Sequence, residues 1–209
     1  MLHFLLFPII LNQPCYYLLE IILKYSILLN SQFKESFKRD VENAQQNVYI
    51  QAMTFEADDA GNWAIDVLKN SLAPDKRLLV DFYSRVMVSD CFVYSPKNWF
   101  DKEFYKEVKA TRALAKTVEA LGIQMKWTNP LGFGLRNYAG RNHKKIITID
   151  GSICYIGGIN FSDHNFAWHD MMLRLENDSV AGFLEQDFLK TWVEENQSAS
   201  QKLPGIVLF

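Results

Sequence analysis

Hydrophobic and polar positions change period repeatedly along the 209-residue chain, and each change predicts a different element. Phe33, Phe37, Val41 and Ala44 recur at the spacing of one apolar helical stripe. A short strand, residues 26–29, precedes them. Residues 47–55 (NVYIQAMTF) are rich in β-branched and aromatic side chains between polar neighbours, which predicts a strand. Ala64, Ile65, Val67 and Leu68 restore helical spacing, and residues 77–83 (RLLVDFY) read as another strand. A long helix is expected within residues 98–121, with Gly122 at its C-cap. Strands follow at residues 123–127, 144–150, 153–156 and 171–175. The middle two flank Asp150-Gly151, a hairpin signal. Residues 178–195 form the last helix, with Val180, Phe183, Leu184, Phe188, Leu189 and Trp192 on its apolar side. Strands alternating with helices predict an α/β fold: a sheet with helices on both faces, mixed because of the antiparallel hairpin.

The ends break this pattern. Residues 1–24 form an apolar leader, apolar to Leu11 except for His3, interrupted by Asn12, Gln13 and Pro14, then apolar again with Glu20 and Lys24. Neither run reaches the roughly 17–25 apolar residues of a membrane span. Nor do they show the basic start and small-residue cleavage site of a secretory signal. The expectation is membrane contact or insertion, or loose packing on the domain. Residues 25–197 form the expected domain. Residues 198–209 are a linker and apolar tail, whose LPGIVLF ending reads as the start of something absent or a strand that pairs elsewhere.

Composition narrows the function classes. Hydrophobic residues at 49% and charged residues at 22% suit a folded domain with a real core. A net charge of −2 argues against a surface devoted wholly to polyanions. The three cysteines, Cys15, Cys91 and Cys154, are scattered, so they make neither a disulfide framework nor a zinc site and suit a reducing compartment. Cys154, in an apolar strand, is expected in the core.

Chemistry concentrates in residues 140–160, GRNHKKIITIDGSICYIGGIN. On a strand His143 and Lys145 share one face, Ile147 and Ile149 continue it toward the core, and Lys144 points away. Gly157 and Gly158 permit close backbone approach, and Asn160 adds an amide donor. One nucleophile, one cation and one neutral donor on one side make a pocket for a phosphate. The run Arg136, Arg141, Lys144, Lys145 holds no acidic residue and is expected to attract phosphate headgroups or a nucleic-acid backbone. Gly132 and Gly134 suggest a mobile loop at the site entrance. His164 and His169 lack a spaced third metal ligand.

His-x-Lys-x4-Asp-x6-Gly-Gly-x-Asn, filled here by His143, Lys145, Asp150, Gly157, Gly158 and Asn160, resembles the HKD signature of the phospholipase D superfamily. The stretches Arg141–Lys145, Trp168–Asp170, residues 48–59 and Phe188-x3-Trp192 resemble the bacterial cardiolipin synthases, most like their N-terminal half. The resemblance implies that His143 attacks phosphorus to form a phosphohistidine. Lys145, Asn160, Gly157, Gly158 and Arg141 would bind the phosphate, and Asp170 would orient the imidazole. Asp150, a member of the catalytic signature, would act structurally by pinning the turn. It implies no metal and no cofactor.

The motif occurs once, although the reaction needs a second histidine to protonate the leaving oxygen. A symmetric dimer, a partner chain or a missing second half would supply it. The expected activity is a phosphatidyltransferase similar to cardiolipin synthase, acting on phospholipid at the cytoplasmic face of a membrane or otherwise membrane-associated. The alternatives are a phospholipase D-type hydrolase, a single-motif nuclease, for which nucleic acid would be the partner, or an inactive separated half.

Overall fold

Phe33, Phe37 and Val41, the stripe that predicts the first helix, are fully buried in a computed structural model that describes residues 24–130, 141–168 and 170–193. They lie on α1 (Asn30–Glu42), which follows strand β1 (Lys24–Leu29). The chain continues through β2 (Asn47–Ala52), α2 (Asp59–Asn70) and β3 (Asp75–Asp81). A small hairpin of β4 (Met87–Val88) and β5 (Cys91–Phe92) precedes α3 (Lys102–Glu119) and β6 (Gln124–Thr128). Then come β7 (Ile146–Ile149), β8 (Ile153–Gly157), the short α4 (Asp163–Phe166), β9 (Met171–Glu176) and α5 (Asp178–Trp192).

Seven strands form one sheet in the order β1-β9-β8-β7-β2-β3-β6. The pairs β2/β3 and β3/β6 are parallel, and the remaining pairs are antiparallel. The sheet is therefore mixed, as expected. Alternation along the strands sends side chains to two cores. Val48, Ile50, Leu78, Val80, Ile147 and Ile149 pack with the stripes of α1, α2 and α3. Tyr49, Leu79, Ile146 and Cys154 pack against α5 on the opposite face. Phe188 stacks on Tyr49 with ring centroids 4.9 Å apart, and Trp192 stacks on Phe188 at 5.8 Å. Cys154 is a core residue, its thiol pushed up to about 12 by burial.

The boundaries differ from the sequence reading where side chains intervene. The long helix starts at Lys102, because the Asp101 carboxylate accepts the Phe104 N–H and sets the cap there. Gly122 adopts a left-handed φ of 76° just beyond its end. Strand β7 starts at Ile146, so His143 and Lys145 precede the strand rather than lie on it. The Asp150-Gly151 turn has both residues at positive φ, 51° and 61°, which is what the hairpin demands of them. The leader up to residue 23 and the tail from residue 194 lie outside the described residues, as do Arg136, Gly132 and Gly134. Among the described residues no helix is long and apolar enough to cross a membrane.

Candidate active site

The register brings the chemical residues to one end of the sheet. Gln51, near the close of β2, pairs with Ile146 at the start of β7. Gly157, at the close of β8, pairs with Met172 at the start of β9, and Leu29, closing β1, pairs with Met171. The segments around Lys145, Gly158 and Asp170 therefore emerge side by side.

Lys145 is buried at 6% exposure, whereas His143 is exposed. The Lys145 Nζ lies 3.0 Å from His143 Nδ1 and 3.3 Å from Nε2, and it donates to the His143 carbonyl at 3.0 Å. The two side chains thus meet, although both precede the strand on which the two-residue spacing predicted a shared face. Burial drives the Lys145 ammonium down to about 8, although the Asp170 charge opposes the shift. Burial and the neighbouring ammonium hold His143 below its ordinary value, which favours the neutral imidazole that a nucleophile requires.

Asp170 sits differently from the expectation of an imidazole-orienting carboxylate. Among the described residues the imidazole bonds to Lys145, and no hydrogen bond joins it to Asp170. The carboxylate instead acts through space on Lys145. The two glycines explain its position. A Cβ on Gly158 would stand 2.7 Å from Asp170 Oδ1, and one on Gly157 would stand 2.2 Å from the Met171 carbonyl oxygen. The close approach they permit is that of β9 and its leading carboxylate, a partner the sequence reading did not identify.

Asn160 is 7% exposed and held at both ends of its amide. Its Oδ1 accepts the Thr54 N–H at 3.1 Å and its Nδ2 donates to Asn165 Oδ1 at 3.0 Å. Asn165 in turn donates to Ser162 Oγ at 2.7 Å. These bonds use one of the two N–H groups of the Asn160 amide.

Two residues of the basic run, Arg141 and Lys144, are paired with acids by folding. Arg141, expected to bind phosphate, donates from Nη1 to Asp81 Oδ1 at 2.9 Å in a buried ion pair. Lys144 points to the other face, as predicted, and pairs with Asp187 of α5 at 2.6 Å. Asp81 was missed because a lone acid within a predicted strand carries no motif; it closes β3 in the fold. Asp150 lies at the far end of β7 from Lys145. Its carboxylate accepts the amides of Gln45, Gln46 and Asn47 at 2.8, 2.8 and 2.9 Å, which is a structural task. His164 Nε2 lies 2.6 Å from Asp90 Oδ2, and His169 falls outside the described residues.

Folding also assembles an acidic cluster where the sequence offered no ligand set. Carboxylate oxygens of Glu56, Asp58 and Glu107 lie within 4.8 Å of one another. Each carboxylate already has protein donors. Glu56 accepts Ser89 N–H, Glu107 accepts Ser89 Oγ–H, and Asp58 accepts the amides of Gly61 and Asp163. Burial, aided by its acidic neighbours, pushes Glu56 up to about 8.

Residues 37–192 match the family described as "Cardiolipin synthase, PLD-like domain". Cardiolipin synthase 1 of Staphylococcus epidermidis is 28% identical over 166 residues, covering 76% of this chain and 30% of that protein. The cardiolipin synthase of Oceanobacillus iheyensis is 26% identical over 168 residues, with the same two coverages. The chain thus spans about 30% of the length of these relatives. Among solved structures, NucT from Helicobacter pylori superposes with a TM-score of 0.57 at 15% identity, over 82% of this chain and 96% of NucT. The phospholipase D family member Nuc from Salmonella typhimurium gives 0.54 at 15% identity, over 81% of this chain and 95% of Nuc. These two show the fold, a single α/β unit of the same extent. The chain belongs to the phospholipase D-like domain family of the cardiolipin synthases.

Proposed function

We propose that this chain is one catalytic half of a phosphatidyltransferase similar to cardiolipin synthase, with His143 as nucleophile. The observation that carries the proposal is the exposed imidazole of His143 against the buried ammonium of Lys145, in a chain whose family match spans residues 37–192. The neutral imidazole donates its lone pair to phosphorus, and the P–O bond to the leaving alcohol breaks. This leaves a phosphatidyl group covalently on His143. An acceptor alcohol then attacks phosphorus and gives its proton to the second half's group that protonated the leaving oxygen, the P–N bond breaks, and the imidazole is restored. Lys145 and the remaining N–H of Asn160 hold the non-bridging oxygens as charge grows on them. Asp170 helps keep Lys145 protonated. Asp150 and Arg141 hold the scaffold, and Gly157 and Gly158 make room for β9.

The departing oxygen needs a proton, which a second HKD half supplies from a dimer mate or a partner chain. Tyr25, Ile27 and Leu29 alternate along the edge strand β1 and Met171 pairs with Leu29 at the site end; each is more than half exposed, the apolar surface such a half would cover. Phosphatidyl substrates place the working enzyme at a membrane surface. The test is transfer between phosphatidylglycerol molecules in mixed vesicles, with the purified chain's solution mass measured by light scattering. A dimer, or a reconstituted pair of halves, should form cardiolipin and trap label on His143, and His143→Ala should abolish both. A verified dimer or pair without transfer refutes the proposal.

One observation favours a second reading. A single unit of this kind makes up 96% of NucT and 95% of Nuc, so one half can be a whole protein. Such a dimer would hydrolyse a lipid or nucleic-acid phosphodiester, with water resolving the phosphohistidine. Cleavage of DNA by the purified chain, lost in His143→Ala, would select it.

A further inference from the structure

Asp81 closes β3 with a carboxylate only 1% exposed, yet four donors converge on it. Oδ1 accepts the Tyr83 N–H at 2.8 Å and Arg141 Nη1 at 2.9 Å. Oδ2 accepts the Asn142 N–H at 2.8 Å and Asn129 Nδ2 at 2.9 Å. Three separate segments meet there: the turn after β3, the end of β6, and the stretch leading to His143. Two of the four donors belong to the two residues immediately before His143.

This matters because little else fixes the nucleophile. The imidazole is exposed, and among the described residues its side-chain partner is the ammonium of Lys145, carried on a flexible four-carbon stem. The ring is therefore placed by the backbone of residues 141–145, which is hung from Asp81 at its start and from β8 at its end, where the Gly157 N–H donates to the Lys145 carbonyl at 3.3 Å. The Asn142 side chain tightens the same segment by accepting the Lys144 N–H at 3.1 Å.

We infer that Asp81 is a positioning residue that sets the location of the His143 imidazole through Arg141 and Asn142. The inference rests on reading His143 as the nucleophile. Carboxylate chemistry suits the task. Both oxygens accept, so a single side chain serves a guanidinium and a backbone amide at once, and the Arg141 charge compensates its burial. An amide in its place offers one oxygen, and its NH2 group would face a donor. The His143 segment would then lose either the Arg141 bond or the Asn142 bond. Misplacing a reacting group by about 1 Å costs on the order of 10²-fold in rate.

The experiment compares Asp81→Asn, Arg141→Lys and Asn129→Gly in the full assembly that shows activity. Asn129→Gly keeps the left-handed φ of 50° while removing a donor that does not lead to His143. Asp81→Asn is expected to lower kcat by roughly 10- to 100-fold with KM for the phosphodiester unchanged. The phosphohistidine should form more slowly in single turnover. Arg141→Lys, which loses the planar fork but not the charge, should fall between that variant and the parent, and Asn129→Gly should match the parent. Parent-like kcat in a folded Asp81→Asn, or a loss confined to KM, overturns the inference. If Asp81→Asn does not fold, Arg141→Lys decides by the same criteria. The imidazole NMR signals of His143 separate the two levels of argument. A parent protein that never forms phosphohistidine defeats the proposed function. Unmoved His143 signals in folded Asp81→Asn, or in Arg141→Lys where that variant must stand in, defeat the positioning role whatever the activity.

Discussion

Asp150→Ala tests whether the acid of the signature is structural. The substitution removes the acceptor shared by the amides of Gln45, Gln46 and Asn47. A hydrogen bond to a charged group contributes about 1.5–3 kcal/mol when both partners are withdrawn from water. Gln45 and Gln46 are exposed, so water takes over much of that bonding, and the partly buried Asn47 amide loses more. Alanine must also hold the left-handed φ of 51° at a cost of about 1–2 kcal/mol. The expected loss is about 4 kcal/mol, a fall of about 2 M in urea midpoint at a slope of about 2 kcal/mol/M. Asp150→Gly, which relieves the backbone strain, should recover about 1 kcal/mol of it. Chemistry should survive, because Asp150 is five residues beyond Lys145 along an extended chain, roughly 16 Å at about 3.3 Å per residue. The assay pairs urea unfolding with initial transfer rates at low temperature, where the variant is folded. A folded Asp150→Ala that loses more than tenfold in kcat, with an unchanged midpoint, would refute the reasoning.

The same geometry sets the pH dependence and the effects of four further substitutions. The kcat/KM profile should be bell-shaped, since His143 must be neutral while Lys145 and the second half's proton donor must be protonated, with an acid limb below 6.5 and an alkaline limb no higher than about 8. Asp170→Asn removes the charge that raises Lys145, so the alkaline limb should move to lower pH. Movement of the acid limb alone would show that Asp170 acts on the imidazole instead. Gly158→Ala places a methyl group 2.7 Å from Asp170 Oδ1, a side-chain atom that can swing away, so it should shift the alkaline limb as Asp170→Asn does. Gly157→Ala collides with the Met171 and Met172 backbone and should instead lower stability by about 1–3 kcal/mol, read as a drop in Tm. Gln51 is 2% exposed and among the described residues neither amide atom is hydrogen-bonded, so Gln51→Met, of similar volume, should raise stability by about 1 kcal/mol. A lower Tm would show that the amide has a partner after all.

Much of the architecture was readable from local pattern. Apolar spacing gave the helices their buried stripes, as at Phe33, Phe37 and Val41, and alternation assigned Ile147 and Ile149 to one core and Lys144 to the other face. Asp150-Gly151 marked the antiparallel hairpin, and the two-residue interval put Lys145 against His143. These features depend on backbone geometry within a few residues, so the chain states them directly. The partners of the charged groups were not readable. Arg141 finds Asp81 across 60 residues, and Lys144 finds Asp187 across 43. Two members of the basic run, free of acids in sequence, are therefore held in ion pairs in the fold. Likewise the glycines leave room for Met171 and Asp170, and Asp150 serves the loop before β2. Strand order decided each of these. β7 lies between β8, its neighbour in the chain, and β2, about 100 residues earlier. Local periodicity determines which face a side chain takes, but what stands opposite it depends on which distant strands pair. That choice is made by the burial energy of the whole sheet, beyond the reach of any short stretch of sequence.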